Sequence, residues 1–134
     1  VVALTGGLGA GKSHFARALI AGRLAALDRS EEIPSPSYTL VQTYDLGGAE
    51  LWHADLYRLG SVAEIAELGL EDAFETAICL VEWADRLGPA LPARRLDLGL
   101  DFAPGAPDAR RLALCAHGPG WGWVDAALAG ASVA

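Results

Sequence analysis

Lysine is nearly missing from this chain. Of ten Lys plus Arg residues, Lys12 is the one lysine and the other nine are arginine. A composition that supplies arginine everywhere else and keeps lysine once marks a position that needs a compact ammonium rather than a planar guanidinium. Methionine is absent altogether, residue 1 included, and residue 1 already opens an apolar run. The reading is that a native N-terminal segment precedes the chain. Cysteine occurs twice, as Cys79 and Cys115, in no metal-ligand spacing. Both lie in apolar runs, which predicts a buried, reduced pair in a cytoplasmic protein. His14, His53 and His117 form no zinc pattern. Positive charge is short, with a net charge of −7. A domain that grips nucleic acid alone carries a basic stripe. Here Arg94-Arg95 and Arg110-Arg111 are two isolated pairs, read as solvated strand ends. Hydrophobic residues make up 52% of the chain, yet no apolar run reaches the ~18 residues of a membrane span. No secretory leader is visible. The 134 residues read as a single domain, 1–134, long enough for its own core.

What is present begins with VVALTGGLGAGKSHF, residues 1–15. Gly6, Gly11, Lys12 and Ser13 stand in the spacing G-x-x-x-x-G-K-[ST], so the lone lysine closes a phosphate-loop motif. The setting agrees. Residues 1–4 suit a buried strand, and residues 13–27 put Ile20, Leu24 and Leu27 on one helical face with Phe15 and Leu19 beside it. The glycines let successive N–H groups converge on an anion, and the helix N-terminus adds partial positive charge there. Lys12 is expected to face solvent and reach the β- and γ-phosphates. The Ser13 hydroxyl would sit on Mg²⁺, which takes oxygen ligands and keeps several waters. The nucleotide-contacting stretch is thus Gly6, Leu8, Gly9, Ala10, Gly11, Lys12, Ser13 and His14.

Further along, residues 28–38 read as a loop with a P-x-P spacing. Residues 38–46 and 50–57 read as a hairpin around Gly47-Gly48. Ser61 and Glu64 have capping-box spacing for a helix over 61–68, which Gly69 stops, and 70–74 continues as a short helix. Residues 76–81 form an unbroken apolar run, as in a strand buried on both faces. Residues 95–102 and 110–117 alternate and predict a second hairpin, and 118–131 a loop and terminal helix. The fold class is α/β: a mixed, mostly parallel central sheet with flanking helices and antiparallel hairpins.

A phosphate loop needs an acid near the metal. Glu82 directly follows the apolar run, and in parallel α/β sheets ligands bind at the C-terminal strand ends. An exposed strand-end carboxylate fits the same position. Asp55 alternates by two with His53 and Tyr57, so the three share a face. Asp55 is either a second site acid or a helix cap or structural hydrogen-bond acceptor. Trp83, Trp52, Trp121 and Trp123 read as core packing, with an exposed Trp121-Gly-Trp123 as a possible interface anchor.

GGLGAGKS, SPSYTLVQTYD, HADLYRL, LGLEDAF and AICLVEW, in this order and spacing over roughly residues 1–85, resemble the bacterial TsaE family of P-loop ATPases. The resemblance implies ATP binding and hydrolysis with Mg²⁺ in tRNA threonylcarbamoyladenosine synthesis. It implies work alongside TsaB and TsaD, with tRNA met only through that complex and no membrane involved. It assigns Lys12 and Ser13 to phosphate and metal, Glu82 to the metal side, and Asp55 to catalysis or switching. Trp83 and Thr39 then lie near the nucleotide, with residues 35–39 as a switch-like loop. Departures from the family pattern are Gly7 for Asp, Ser13 and Ser37 for Thr, and Ala84 for Pro. The rival readings are a small-molecule P-loop kinase, a GTPase and a non-enzymatic nucleotide-sensing module. Against a kinase, only Arg58 and Arg86 lie near the site and no lid-length insertion is present. Against a GTPase, the chain has no NKxD-type segment.

Overall fold

The structure, a computed structural model, describes residues 1–61 and 63–129. Its strands are β1 (Val2–Thr5), β2 (Val41–Asp45), β3 (Glu50–Asp55), β4 (Ile78–Glu82), β5 (Arg95–Ala103) and β6 (Ala106–His117). They form one sheet in the order β2-β3-β4-β1-β5-β6. The inner pairings β3–β4, β4–β1 and β1–β5 are parallel. The outer pairings β2–β3 and β5–β6 are antiparallel hairpins. The expected mixed, mostly parallel sheet is therefore what folds.

The sheet has a layer on each face. On one side α1 (Lys12–Ala25) presents Ala16, Ile20 and Leu24 to Leu4, Leu51, Leu80 and Leu98. On the other, α2 (Ala63–Leu68), α3 (Leu70–Thr76) and a 3₁₀ segment (Ala84–Ala90) bring Ile65, Leu70 and Leu87 onto Ala3, Ala54 and Val81. β4 is covered on both faces, which explains its unbroken apolar run. Each fully buried leucine or isoleucine contributes roughly 1.5–3 kcal/mol by transfer from water.

Several boundaries move, each for a local reason. β2 begins at Val41, not residue 38: Leu40 takes a left-handed φ of 66° and its N–H donates to the Pro36 carbonyl, 2.7 Å. β3 ends at Asp55 because its Oδ1 accepts the Tyr57 N–H at 3.1 Å. Leu27 lies beyond the end of α1 and is exposed rather than on its buried face. Residues 75 and 76 belong to α3, so the following strand starts at Ile78. β6 starts at Ala106 because Gly105, at φ 76°, makes the turn close to β5. Glu64 Oε1 accepts the Gly60 and Ser61 N–H groups at 2.9 and 3.1 Å, the backward half of the expected capping box. α4 (Trp123–Ala129) forms the terminal helix. Val62 of the expected 61–68 helix, and residues 130 and 131 of the terminal one, lie outside the described residues.

Surface exposure corrects two core assignments. Cys115, on edge strand β6, is exposed, so the cysteines are not a buried pair. Trp123 is exposed as well, while its neighbour Trp121 is half-buried and donates its Nε1–H to the His117 carbonyl at 2.9 Å. Cys79 is buried, donates to the Ala73 carbonyl, and burial pushes its thiol up to about 11. Alkylation of the native protein is therefore expected to label Cys115 alone, read as a single adduct by intact mass, with Cys79 labelled only in denaturant. Equal native labelling of both would contradict this packing.

Among the described residues no helix is long and apolar enough to cross a membrane.

Candidate nucleotide site

The chain leaves β1 into the glycine loop and enters α1 at Lys12. Two glycines are needed for this path. A Cβ at Gly6, which has φ 141°, would run into the Leu100 carbonyl oxygen. Gly11 caps α1 at φ 107°, a conformation that side chains disfavour. At Gly7 a Cβ would meet nothing within 4 Å, so the aspartate of the resembled pattern would fit there without strain.

Lys12 does not face solvent as expected. It is 6% exposed; its Nζ donates to the Gly6 and Gly7 carbonyls at 2.6 and 3.0 Å and lies 4.2 Å from the centroid of the Trp83 ring. Its flexible stem curls back over the loop onto the nearest acceptors and the indole face. Trp83 is held there by a left-handed backbone (φ 58°) and by Tyr57, whose ring centroid is 5.0 Å away. Such a conformation in a bulky residue costs about 1–2 kcal/mol and is found where a site over-determines it. Trp83 therefore belongs to the site as well as to packing.

Parallel register brings the acids to the loop. Leu4 of β1 and Asp55 of β3 both stand opposite Glu82 of β4, so three strand ends converge. The Ser13 hydroxyl is within bonding distance of both Glu82 oxygens, Oε1 at 2.8 Å and Oε2 at 2.9 Å. Glu82 is 2% exposed and is no solvated strand end. His53 Nε2 lies 2.7 Å from Glu82 Oε2. The Tyr57 N–H bond makes Asp55 a structural acceptor, yet Asp55 also lines the cleft, so the two roles coexist.

A cleft of about 350 Å³ results. Leu8, Gly9, Gly11, Lys12, Ser13 and His14 form one wall, and Asp55, Tyr57, Arg58, Glu82 and Trp83 the other, with Ser37 at the rim. Three of the expected contact residues do not line it. Gly6 serves through its carbonyl, beneath Lys12. Ala10 is buried and its carbonyl accepts from Arg110 Nε at 3.0 Å. Thr39 Oγ1 accepts from Gln42 Nε2 at 3.0 Å, in the turn before β2. Sequence reasoning groups His53 and Tyr57 with Asp55 but does not give their partners, the Glu82 carboxylate for His53 and the Trp83 ring for Tyr57. It also missed Arg110, read as a solvated strand end but bound to the loop; no local signal announces a contact spanning 100 residues. A second cleft of about 580 Å³ lies across the loop, sharing Gly9, Gly11 and His14 with the first.

Ser13 and Glu82 offer only oxygen donors, the set that suits Mg²⁺. Among the described residues no group of three or more His, Cys, Asp or Glu side chains is placed to hold a metal ion. The pair is a partial set of the kind that phosphate oxygens complete.

A glycine loop leaving a parallel strand, a Lys-Ser pair opening the next helix and an acid at the end of the adjacent strand define a P-loop NTPase fold. The family model described as threonylcarbamoyl adenosine biosynthesis protein TsaE matches residues 1–111, and the chain belongs to that family. Similar proteins carry the name tRNA threonylcarbamoyladenosine biosynthesis protein TsaE. One from Haemophilus influenzae is 36% identical over 87% of this chain and 70% of the relative. One from Bacillus subtilis is 34% identical over 88% of this chain and 70% of the relative. The crystal structure of Bacillus subtilis YdiB superposes with a TM-score of 0.64 at 32% identity, covering 87% of this chain and 68% of that one.

Proposed function

We propose that the chain binds Mg²⁺-ATP in the cleft between Lys12 and Glu82 and hydrolyses it as the ATPase component of tRNA threonylcarbamoyladenosine biosynthesis, acting with TsaB and TsaD. The observation that carries the reading is the Ser13 hydroxyl on both oxygens of buried Glu82, beside the chain's only lysine. The loop N–H groups and Lys12 would take the β- and γ-phosphates. Ser13 and Glu82 would hold the cation, which when bound neutralises charge on the phosphate oxygens. Asp55, aimed into the cleft by its bond to the Tyr57 N–H, would orient the attacking water. Arg58 adds a second cation on the wall opposite the loop. The second cleft, which shares Gly9, Gly11 and His14 with the first, is where base and ribose would extend.

The partner is read as protein rather than RNA because net charge is −7. Non-specific nucleic-acid affinity comes mostly from phosphate contacts and falls with salt. ATP turnover measured with and without TsaB–TsaD tests the proposal. Turnover is expected to rise when both partners are present, and the isolated chain is expected to bind tRNA weakly. No turnover under either condition would sink the ATPase reading. Tight, salt-sensitive tRNA binding by the chain alone would sink the reading of its partner.

A further inference from the structure

Glu82 ends in a carboxylate whose last torsion is intrinsically broad, so the side chain alone does not aim its oxygens. Ser13 does not aim them either, because its one proton is shared between Oε1 and Oε2 at nearly equal distances, 2.8 and 2.9 Å. Among the described residues the remaining hydrogen-bond partner of the carboxylate is His53. Its Nε2 lies 2.7 Å from Oε2, and the ring is fully buried on β3, between Leu51 and Asp55 on the face toward α1. Strand pairing on both sides, to Gln42 of β2 and Leu80 of β4, keeps its backbone from moving. Nδ1 is buried and has no partner among the described residues. A ring carrying its proton on Nε2 leaves only a bare lone pair at Nδ1, which costs less than an orphaned N–H. The donor therefore points at Glu82. A histidine at a fully enclosed core position, with one hydrogen bond and that bond to the site carboxylate, has no packing rationale of its own.

We propose that His53 is a positioning residue for the metal-side carboxylate: its Nε2–H holds Glu82 Oε2 and so presents Oε1 to the cation bound with nucleotide. The proposal rests on the reading of the cleft as a Mg²⁺-nucleotide site. Hydrogen bonds of this kind behind a metal-binding group commonly govern metal affinity more than overall fold.

The test uses ADP affinity, measured calorimetrically in EDTA and across a Mg²⁺ titration, with thermal melts for each variant. His53→Leu keeps the volume and removes the donor; His53→Gln returns an N–H near the position of Nε2. The Leu variant is expected to raise the Mg²⁺ midpoint about tenfold or more while ADP affinity in EDTA stays within about twofold, and the Gln variant to recover most of the shift. A wild-type midpoint in His53→Leu would overturn the proposal. So would an equal loss in a folded His53→Gln, or a loss of EDTA affinity matching the Mg²⁺ shift. If His53→Leu does not fold, His53→Asn takes its place, since its amide falls short of Glu82; equal midpoints for Asn and Gln would then overturn it. Wild-type protein that shows no Mg²⁺-dependent ADP binding would remove the nucleotide reading along with this one. Wild-type binding with an unchanged Leu variant would remove this one alone.

Discussion

Lys12→Ala is expected to abolish tight ATP binding. Charge-assisted hydrogen bonds contribute about 1.5–3 kcal/mol each, so losing two to phosphate costs about 3 kcal/mol or more, at least about a hundredfold in affinity. Lys12→Arg is expected not to rescue, because a guanidinium is wider than the space between the Gly6 and Gly7 carbonyls and the Trp83 ring. The Lys12 side chain is buried, so the alanine variant also leaves the Gly6 carbonyl without its donor and the Gly7 carbonyl with the Ala10 N–H alone. That loosens the loop and costs about 1–3 kcal/mol of stability, while Ile20, Leu24 and the sheet keep the fold. Calorimetric titration with ATP and a thermal melt read the two effects separately. A variant with wild-type affinity would remove the phosphate-cradle argument at its root.

Glu82 and Asp55 are expected to fail differently when neutralised. Glu82→Gln puts an amide nitrogen where the carboxylate accepts from Ser13 and His53. Metal-dependent ATP binding and turnover should then fall together. Asp55→Asn can keep its side-chain oxygen on the Tyr57 N–H, so the wall of the cleft survives. ATP binding should stay near wild type while hydrolysis falls by about 10²–10⁴-fold, the range for a lost general acid–base group. Mg²⁺-ATP titration and turnover with TsaB–TsaD read both variants. Reversed behaviour would exchange the two roles, and unchanged turnover in both would place the chemistry elsewhere.

The legible parts of the structure are those set by spacing along one segment. The strand–glycine loop–helix unit, the buried strand ending in Glu82 and both hairpins follow from local periodicity and turn residues. Contacts between distant segments were not legible. That Lys12 folds onto Trp83 depends on where β4 ends relative to β1, and the Arg110 bond to Ala10 on how the outer hairpin curls. His53 was visible as a polar residue sharing a face with Asp55, but its partner lies 29 residues away on another strand. Cys115 reads as core because an apolar run does not say whether its strand lies at an edge, and Trp123 because residue type alone does not say which side of a short terminal helix faces solvent.

If the cleft takes nucleotide as proposed, the resting place of Lys12 makes binding a contest between an internal and an external ligand for one ammonium. An arriving phosphate would not fill an idle site; it would have to take the cation away from two carbonyl dipoles and an indole face. The affinity that any titration reports is the difference between those two attachments. On the proposed reading phosphate would win the exchange through its full negative charge. A neutral nucleoside offers the ammonium nothing better than it already has and leaves it in place. Discrimination between nucleoside and nucleotide would thus be set by the lysine's starting position, before any group on the base or sugar is read.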